Sequence, residues 1–303
     1  MSIDDISGDR DAAGWIDPAE VFQPLLIASV VAGIRELPTL PSVAAYMLNH
    51  LDEDVHLPKI VQMLSYDQVM TARILRFANS AYVGSPKSPG TVDEAIQLIG
   101  LNALREMVCI SAVSGLMVPD RCPDFELKAF WRHAVATACF AASLARQAGA
   151  STSHAFTAGL LHDIGRMVLA CTFPADYSRT LRYQGETACA ILRAEQATIG
   201  VDHVQTGVEL SRRWQLGADL REAIAGHHDD LPVDASAATS LPALVNAANR
   251  IAHAVDLGDA DDTALDEDIS AALQALGLED ETYPAVLQQA RAAYRQAIEA
   301  LSL

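Results

Sequence analysis

Nine histidines are spread over the 303 residues, and five of them fall with one aspartate in an order that could carry chemistry: His133, His162-Asp163, His203 and the pair His227-His228. Imidazole and carboxylate are hard-to-borderline ligands suited to Mg²⁺, Mn²⁺, Fe or Zn²⁺. An ion so held lowers the pKa of a bound water and makes hydroxide for attack on phosphorus. Nothing in the spacing selects the metal. In Ala158-Gly-Leu-Leu-His-Asp-Ile-Gly165 the imidazole and carboxylate follow directly on an apolar turn. Neighbours on a helix diverge by about 100°, so both reach one ion only where a helix end lies close to it, and several helices must converge. Burying such a pair beside an apolar turn also demands a partner, which makes His162 and Asp163 a polar site. A single His in an Ala/Leu-rich helix is the opposite case. Taken alone, His133 or His154 reads as a hydrogen-bonded core or surface residue.

The elements that must position these groups are helices. From Val21 onward apolar residues recur at helical spacing, Ala and Leu abound, and β-branched alternation is nearly absent, so the fold class is all-α. Pro41 suits a first helical turn, and Asp67 can cap a helix over 68–79. Thr91-Val-Asp-Glu94 has the form of a capping box for a helix that runs to 98 and ends at Gly100, with Pro86, Pro89 and Gly90 marking the loop before it. Asn79 reads as a C-terminal capping residue. The Pro/Asp-rich break at Asp120-Arg-Cys-Pro-Asp124 divides an amino-terminal lobe, 21–119, from a second lobe, 120–256. The second lobe is expected to hold helices over 125–148, 151–171, 187–199, 201–214, 219–228 and 242–255, with a connector over 232–240. Trp131 and Trp214 sit in apolar-flanked segments and are assigned to the core.

Residues 1–20 carry six acids and one Arg with little periodic apolar content, and read as a solvated leader. Between Asp256 and Glu281 there are ten acids and no base, read as solvated loop and helix face, and an amphipathic helix over 283–301 completes the 257–303 segment. The formal net charge is −18, from 39 acidic and 21 basic residues. Such a field repels phosphate backbones and disfavours nucleic-acid partners. Five cysteines with no C-x-x-C pair suggest neither a disulfide framework nor a thiolate zinc site, and fit a reducing cytoplasm. The apolar stretches near 25–34 and 107–118 are shorter than the roughly 20 residues of a spanning helix, and the acidic amino terminus lacks a secretion signal's features. No membrane association is expected.

His133 followed by His162-Asp163 in the run LLHDIGR resembles the HD superfamily of metal-dependent phosphohydrolases. The double histidine of Ala225-Gly-His-His228, preceded by Gly200-Val-Asp-His203, is similar to the HD-GYP and HDOD branches, both bacterial signalling modules. The first lobe separates these two. Glu36-Leu-Pro-Thr-Leu-Pro-Ser42, Ser65-Tyr-Asp67, Leu75-Arg-Phe-Ala-Asn-Ser-Ala-Tyr82 and Ala95-Ile-Gln-Leu-Ile-Gly-Leu-Asn-Ala-Leu104 follow the HDOD pattern in order and spacing, so the resemblance is to the HD-related output domain over 34–255. It implies a two-lobed helical bundle with the amino-terminal lobe packed on an HD-like bundle. It also implies a metal site drawn from His133, His162, Asp163, His203, His227 and His228.

The departures bear on function. After the double histidine the chain reads His227-His-Asp-Asp-Leu-Pro-Val233 without Gly-Tyr-Pro, against a cyclic-di-GMP phosphodiesterase of the HD-GYP kind. The last HD-type Asp is matched by Asn249 in Val245-Asn-Ala-Ala-Asn-Arg-Ile251, and a neutral carbonyl oxygen there loosens the site and weakens the case for hydroxide formation. Arg166 replaces a Lys of the HD-GYP pattern. It offers a cation for a phosphate or, the reading favoured, pairs with an acid on its own helix. The resemblance therefore implies a cytoplasmic regulatory output module with a degenerate site, at most a divalent metal (Fe, Mn, Mg or Zn), and signalling proteins as partners in trans. The rival is a metal-dependent phosphohydrolase acting on a nucleotide or cyclic dinucleotide, with Asp163 and Arg166 as catalytic candidates. A third reading is a module that binds a nucleotide without cleaving it.

Overall fold

The computed structural model describes residues 25, 27–51, 56–81, 89–117, 119–231, 239–258 and 265–301, and the regular elements among them are all helical. The leader over 1–20, the turn at Pro86 and most of the 232–240 connector lie outside the described residues.

The amino-terminal lobe holds α2 (Ser42–Leu48), α3 (Leu57–Ser65), α4 (Gln68–Ala81) and the first part of α5 (Val92–Leu116). Val43, Met47, Ile60, Leu64, Ile74, Leu104 and Val108 form its core. The expected caps are in place: Asp67 Oδ1 accepts from the Met70 amide at 2.9 Å and Thr91 Oγ1 from the Glu94 amide at 3.2 Å. The Glu94 side chain reaches past Thr91 to accept from the Gly90 amide instead, so the box closes one residue early. Gly100 interrupts α5 with φ 81° and ψ 168°, a conformation open to glycine and strained for L side chains, but the helix resumes beyond it rather than ending. Asn79 lies within the last turn of α4 and donates to the Leu75 carbonyl.

Two elements cross the boundary drawn at 120. The later part of α5 contributes Cys109, Ile110 and Val113 to the core of the second lobe. The helix before α2, α1 (Ile27–Glu36), lies early in the chain yet belongs to that same core through Val30 and Ile34. Its neighbours are α8 (Ile164–Thr172) and α11 (His203–Arg213). Leu25 donates to the Ile199 carbonyl at 2.6 Å, and Arg213 donates to the carbonyls of Arg35 and Leu37. The apolar face of α1 is buried by long-range packing, which sequence position does not reveal.

Of the remaining helices, α6 (Leu127–Gln147), α7 (Thr152–Leu161), α12 (Ala218–Gly226) and α13 (Leu241–Ala254) pack together at the centre of the second lobe, with Trp131 and Trp214 in its core as expected. The run expected over 151–171 is two helices, α7 and α8, broken at His162-Asp163. α9 (Pro174–Thr187) was not expected: only Tyr177, Ser178 and Thr180 are buried on it, too few apolar positions to set a period. α10 (Ile191–Thr198) follows it, and α14 (Glu267–Ala275) forms inside the acidic block, capped by Asp266. α15 (Tyr283–Leu301) packs along α6 and against α4, so it touches both lobes. α5 is the one described helix whose length and apolarity would suit a membrane, with mean hydropathy 1.4 over Val92–Gly115. Most of its buried apolar residues belong to the two cores, which makes it a core helix.

Two consequences for stability arise here. A Cβ at Gly165 would stand 1.8 Å from the His203 carbonyl oxygen, so α8 and α11 touch backbone to backbone at this point. Gly165→Ala must separate them, and the expected loss is about 3 kcal/mol in urea unfolding, with weakened cation binding as the helices part. On α5, desolvation by burial pushes the Glu106 carboxyl up to about 7 from 4.5, against the pull of Arg146. The unfolded chain then loses this proton at lower pH than the native one, so stability falls as pH rises from 4.5 toward 7. Glu106→Gln is expected to match the parent at pH 4 and exceed it by roughly 2 kcal/mol at pH 8.

Candidate metal centre

The break between α7 and α8 creates the site. His162 closes one helix and Asp163 precedes the other, which frees both side chains to point to one spot, as adjacent residues inside a continuous helix could not. His203 opens α11, fixed there by a capping box between Asp202 and Gln205. His227 follows the last turn of α12, with His228 next to it.

Asp163 Oδ1 is the focus: His203 Nε2 and His227 Nε2 both stand 3.3 Å away, and His162 Nε2 3.7 Å. His203 Nε2 is also 3.0 Å from His228 Nε2 and 3.3 Å from His227 Nε2. The other nitrogens settle the protonation. His162 Nδ1 lies 2.7 Å from the Gly159 carbonyl, His227 Nδ1 2.8 Å from the Ile224 carbonyl, and His203 Nδ1 2.6 Å from Glu195 Oε2. These oxygens only accept, so each Nδ1 carries a proton and each ring turns its Nε2 toward the carboxylate. Nitrogen and oxygen atoms this close need a proton or a cation between them.

His162 Nε2 is buried and has no hydrogen-bond partner among the described residues, an arrangement that costs free energy unless it binds something. The donors fall into two groups that share Asp163: Asp163 with His203, His227 and His228, and Asp163 with His133 and His162, each with ligand atoms within 4.8 Å of one another. The residues fit a divalent ion.

Electrostatics agree with that fit. Burial drives His162 well below the usual imidazole range and takes His133 and His228 down to about 4. Burial lowers His203 as well, but Glu195 and Asp163 together outweigh it and leave the ring raised. Asp163 stays well below the ordinary carboxylate range in spite of its burial, held there by His162, His203, His227 and Arg166. The carboxylate is an anion and the rings around it are mostly neutral donors.

All the residues singled out in the sequence meet here, though in different roles. His133 lies edge-on to His162 with ring centroids 5.3 Å apart, and its Nε2 is 2.9 Å from Asn249 Oδ1. Asn249 therefore holds His133. Arg166 donates to Asp163 Oδ2 at 3.1 Å and to the Tyr177 hydroxyl at 3.4 Å, pairing with the acid three residues before it. Three residues escaped the sequence reading. His253 stacks on His133 at 4.3 Å, and its spacing of four from Asn249 on α13 could have flagged it. Glu195 and Tyr177, both fully buried, complete the surroundings of His203, and only the burial of a Glu could have signalled them.

Comparison with known proteins places this geometry. The HDOD domain profile matches residues 37–230. A protein of Shewanella amazonensis SB2B, described as a candidate phosphohydrolase, is 26% identical with a TM-score of 0.68, over 89% of this chain and 98% of its own. An HDOD domain protein of unknown function from Geobacter sulfurreducens shares the fold, with a TM-score of 0.70 at 22% identity over 90% of this chain and 99% of its own. Among curated proteins, an uncharacterised protein of Treponema pallidum (strain Nichols) is 28% identical over 207 residues, 67% of this chain and 40% of the relative, so the chain spans about two fifths of that protein's length. With the profile covering well over half of its length, and an all-helical fold shared with an HDOD protein, this chain belongs to the HDOD domain family.

Proposed function

We propose that this chain is a regulatory HDOD module of bacterial signalling that holds a single divalent cation for structural purposes, hydrolyses little or nothing, and works in the cytoplasm by binding signalling proteins in trans. The observation that carries the reading is the charge at the centre. Asp163 is the only carboxylate in either ligand group among the described residues, one of its oxygens is shared with Arg166, and the position beside His133 is a neutral Asn249. One anion suffices for one ion among neutral imidazoles. A second ion would add mutual repulsion with no further carboxylate to offset it. When bound, the ion supplies the positive charge that these close-set nitrogen and oxygen atoms need between them. A donor set of imidazoles suits Zn²⁺, Fe or Mn²⁺ better than Mg²⁺, which prefers oxygen ligands. The net charge of −18 supports protein partners over nucleic acids.

The second reading, a metal-dependent phosphohydrolase, has one observation in its favour: His228 is exposed while His162, His203 and His227 are buried, so a water or phosphate could approach the centre from that side. Metal analysis of protein purified without chelator, joined to an assay with a generic phosphodiester, separates the two. One ion per chain and background turnover support the regulatory module; two ions with steady hydrolysis reject it.

A further inference from the structure

Behind the ligands runs a chain of hydrogen bonds that begins at Asp163 and ends at His203. Asp163 Oδ2 accepts from Arg166, Arg166 Nε donates to the Tyr177 hydroxyl, and that hydroxyl donates to Glu195 Oε1 at 2.8 Å. Glu195 Oε2 accepts from both the His203 backbone amide at 2.8 Å and His203 Nδ1 at 2.6 Å, and His203 Nε2 stands 3.3 Å from Asp163 Oδ1. Glu195, His203 and Tyr177 are each 0% exposed.

We propose that Glu195 is a positioning residue for the cation: it fixes the ring of His203 and strengthens its Nε2 as a donor. The inference rests on the metal-binding reading above. A buried carboxylate has a high cost unless its oxygens are satisfied. Here three donors satisfy it, and two of them come from one residue. The bond to the amide sets where α11 starts, and the bond to Nδ1 sets the tautomer and the plane of the imidazole. A carboxylate on Nδ1 also leaves more electron density on Nε2 than a carbonyl does. His162 and His227 lean on carbonyl oxygens, so His203 is the one buried ring of the centre backed by an anion. Carboxylate partners of this kind commonly tune metal affinity 10- to 100-fold.

Glu195→Gln tests the idea because the amide keeps the shape: its oxygen can still accept from His203 and its NH₂ can donate to Tyr177, while the charge is lost. Zn²⁺ affinity is read by competition with a chromophoric chelator, and the Co²⁺-substituted protein is read by its visible absorption. Expected are a single site in the parent chain, a 10- to 100-fold weaker one in Glu195→Gln with a shifted Co²⁺ band, and circular dichroism unchanged. Tyr177→Phe leaves both Glu195–His203 bonds intact and is expected to weaken binding less than tenfold; it also serves if the first variant does not fold. Binding by Glu195→Gln within twofold of the parent, with the same Co²⁺ spectrum, overturns the proposal, as does a larger loss in Tyr177→Phe than about tenfold. A parent chain that binds neither ion fails differently: it removes the metal-binding reading itself.

Discussion

Asp163→Asn protein is expected to bind Zn²⁺ about a thousandfold more weakly than the parent chain. The amide conserves shape and takes away the one anion that all the facing Nε2 atoms share. Breaking a buried charge pair costs about 4 kcal/mol, which is about a factor of a thousand in affinity. The same change leaves the Arg166 guanidinium with Tyr177 but without its carboxylate, so the metal-free variant is also expected to unfold at lower urea, by about 3 kcal/mol. Chelator competition and urea titration measure the two effects on one preparation. Zn²⁺ affinity within tenfold of the parent would mean that the imidazoles alone hold the ion, and the account of the centre as a site organised by one carboxylate would fail.

The opposite change adds charge. Asn249→Asp is expected to raise the metal content from one ion per chain to two and to bring phosphodiester turnover at least about tenfold above background. His133, His162 and Asp163 already form a second set of donors, lacking an anion of its own, and Asn249 sits 2.9 Å from His133 Nε2. As an amide oxygen it accepts the proton on that nitrogen and keeps His133 from acting as a ligand there. As a carboxylate it would bring the missing charge, and paired ions about 3.5–4 Å apart are the usual arrangement for clamping a phosphoryl group. Elemental analysis and hydrolysis of bis(4-nitrophenyl) phosphate decide the matter. If the variant still holds one ion per chain, Asn249 is not what limits the centre.

How far the sequence could reveal this depended on whether a signal was local. α15 was legible from end to end because its amphipathic period is uninterrupted, and Asp67 and Thr91 announced helix starts through bonds only three residues long. The HDOD pattern assembled His133, His162, Asp163, His203, His227 and His228 before any coordinates, and all six converge. What stayed hidden depends on the chain meeting itself. The break at His162-Asp163 falls inside an unbroken apolar period, two residues before the close contact of α8 with α11 at Gly165. The packing of α1 on the second lobe, the bond of Arg166 to Tyr177 on the next helix and the reach of Glu195 to His203 are likewise long-range events. Asn249 was picked out by its departure from a pattern. Its hold on His133, 116 positions away, could not be read from that departure.

The path of α5 bears on how the two cores are coupled. Beyond Gly100 it turns Leu104, Val108 and Ala112 to one interior and Cys109, Ile110 and Val113 to the other, while α15 packs against α6 and α4. Bending this stretch would disturb both interiors at once. The two interiors are therefore expected to melt in one cooperative transition, which calorimetry would record as a single peak.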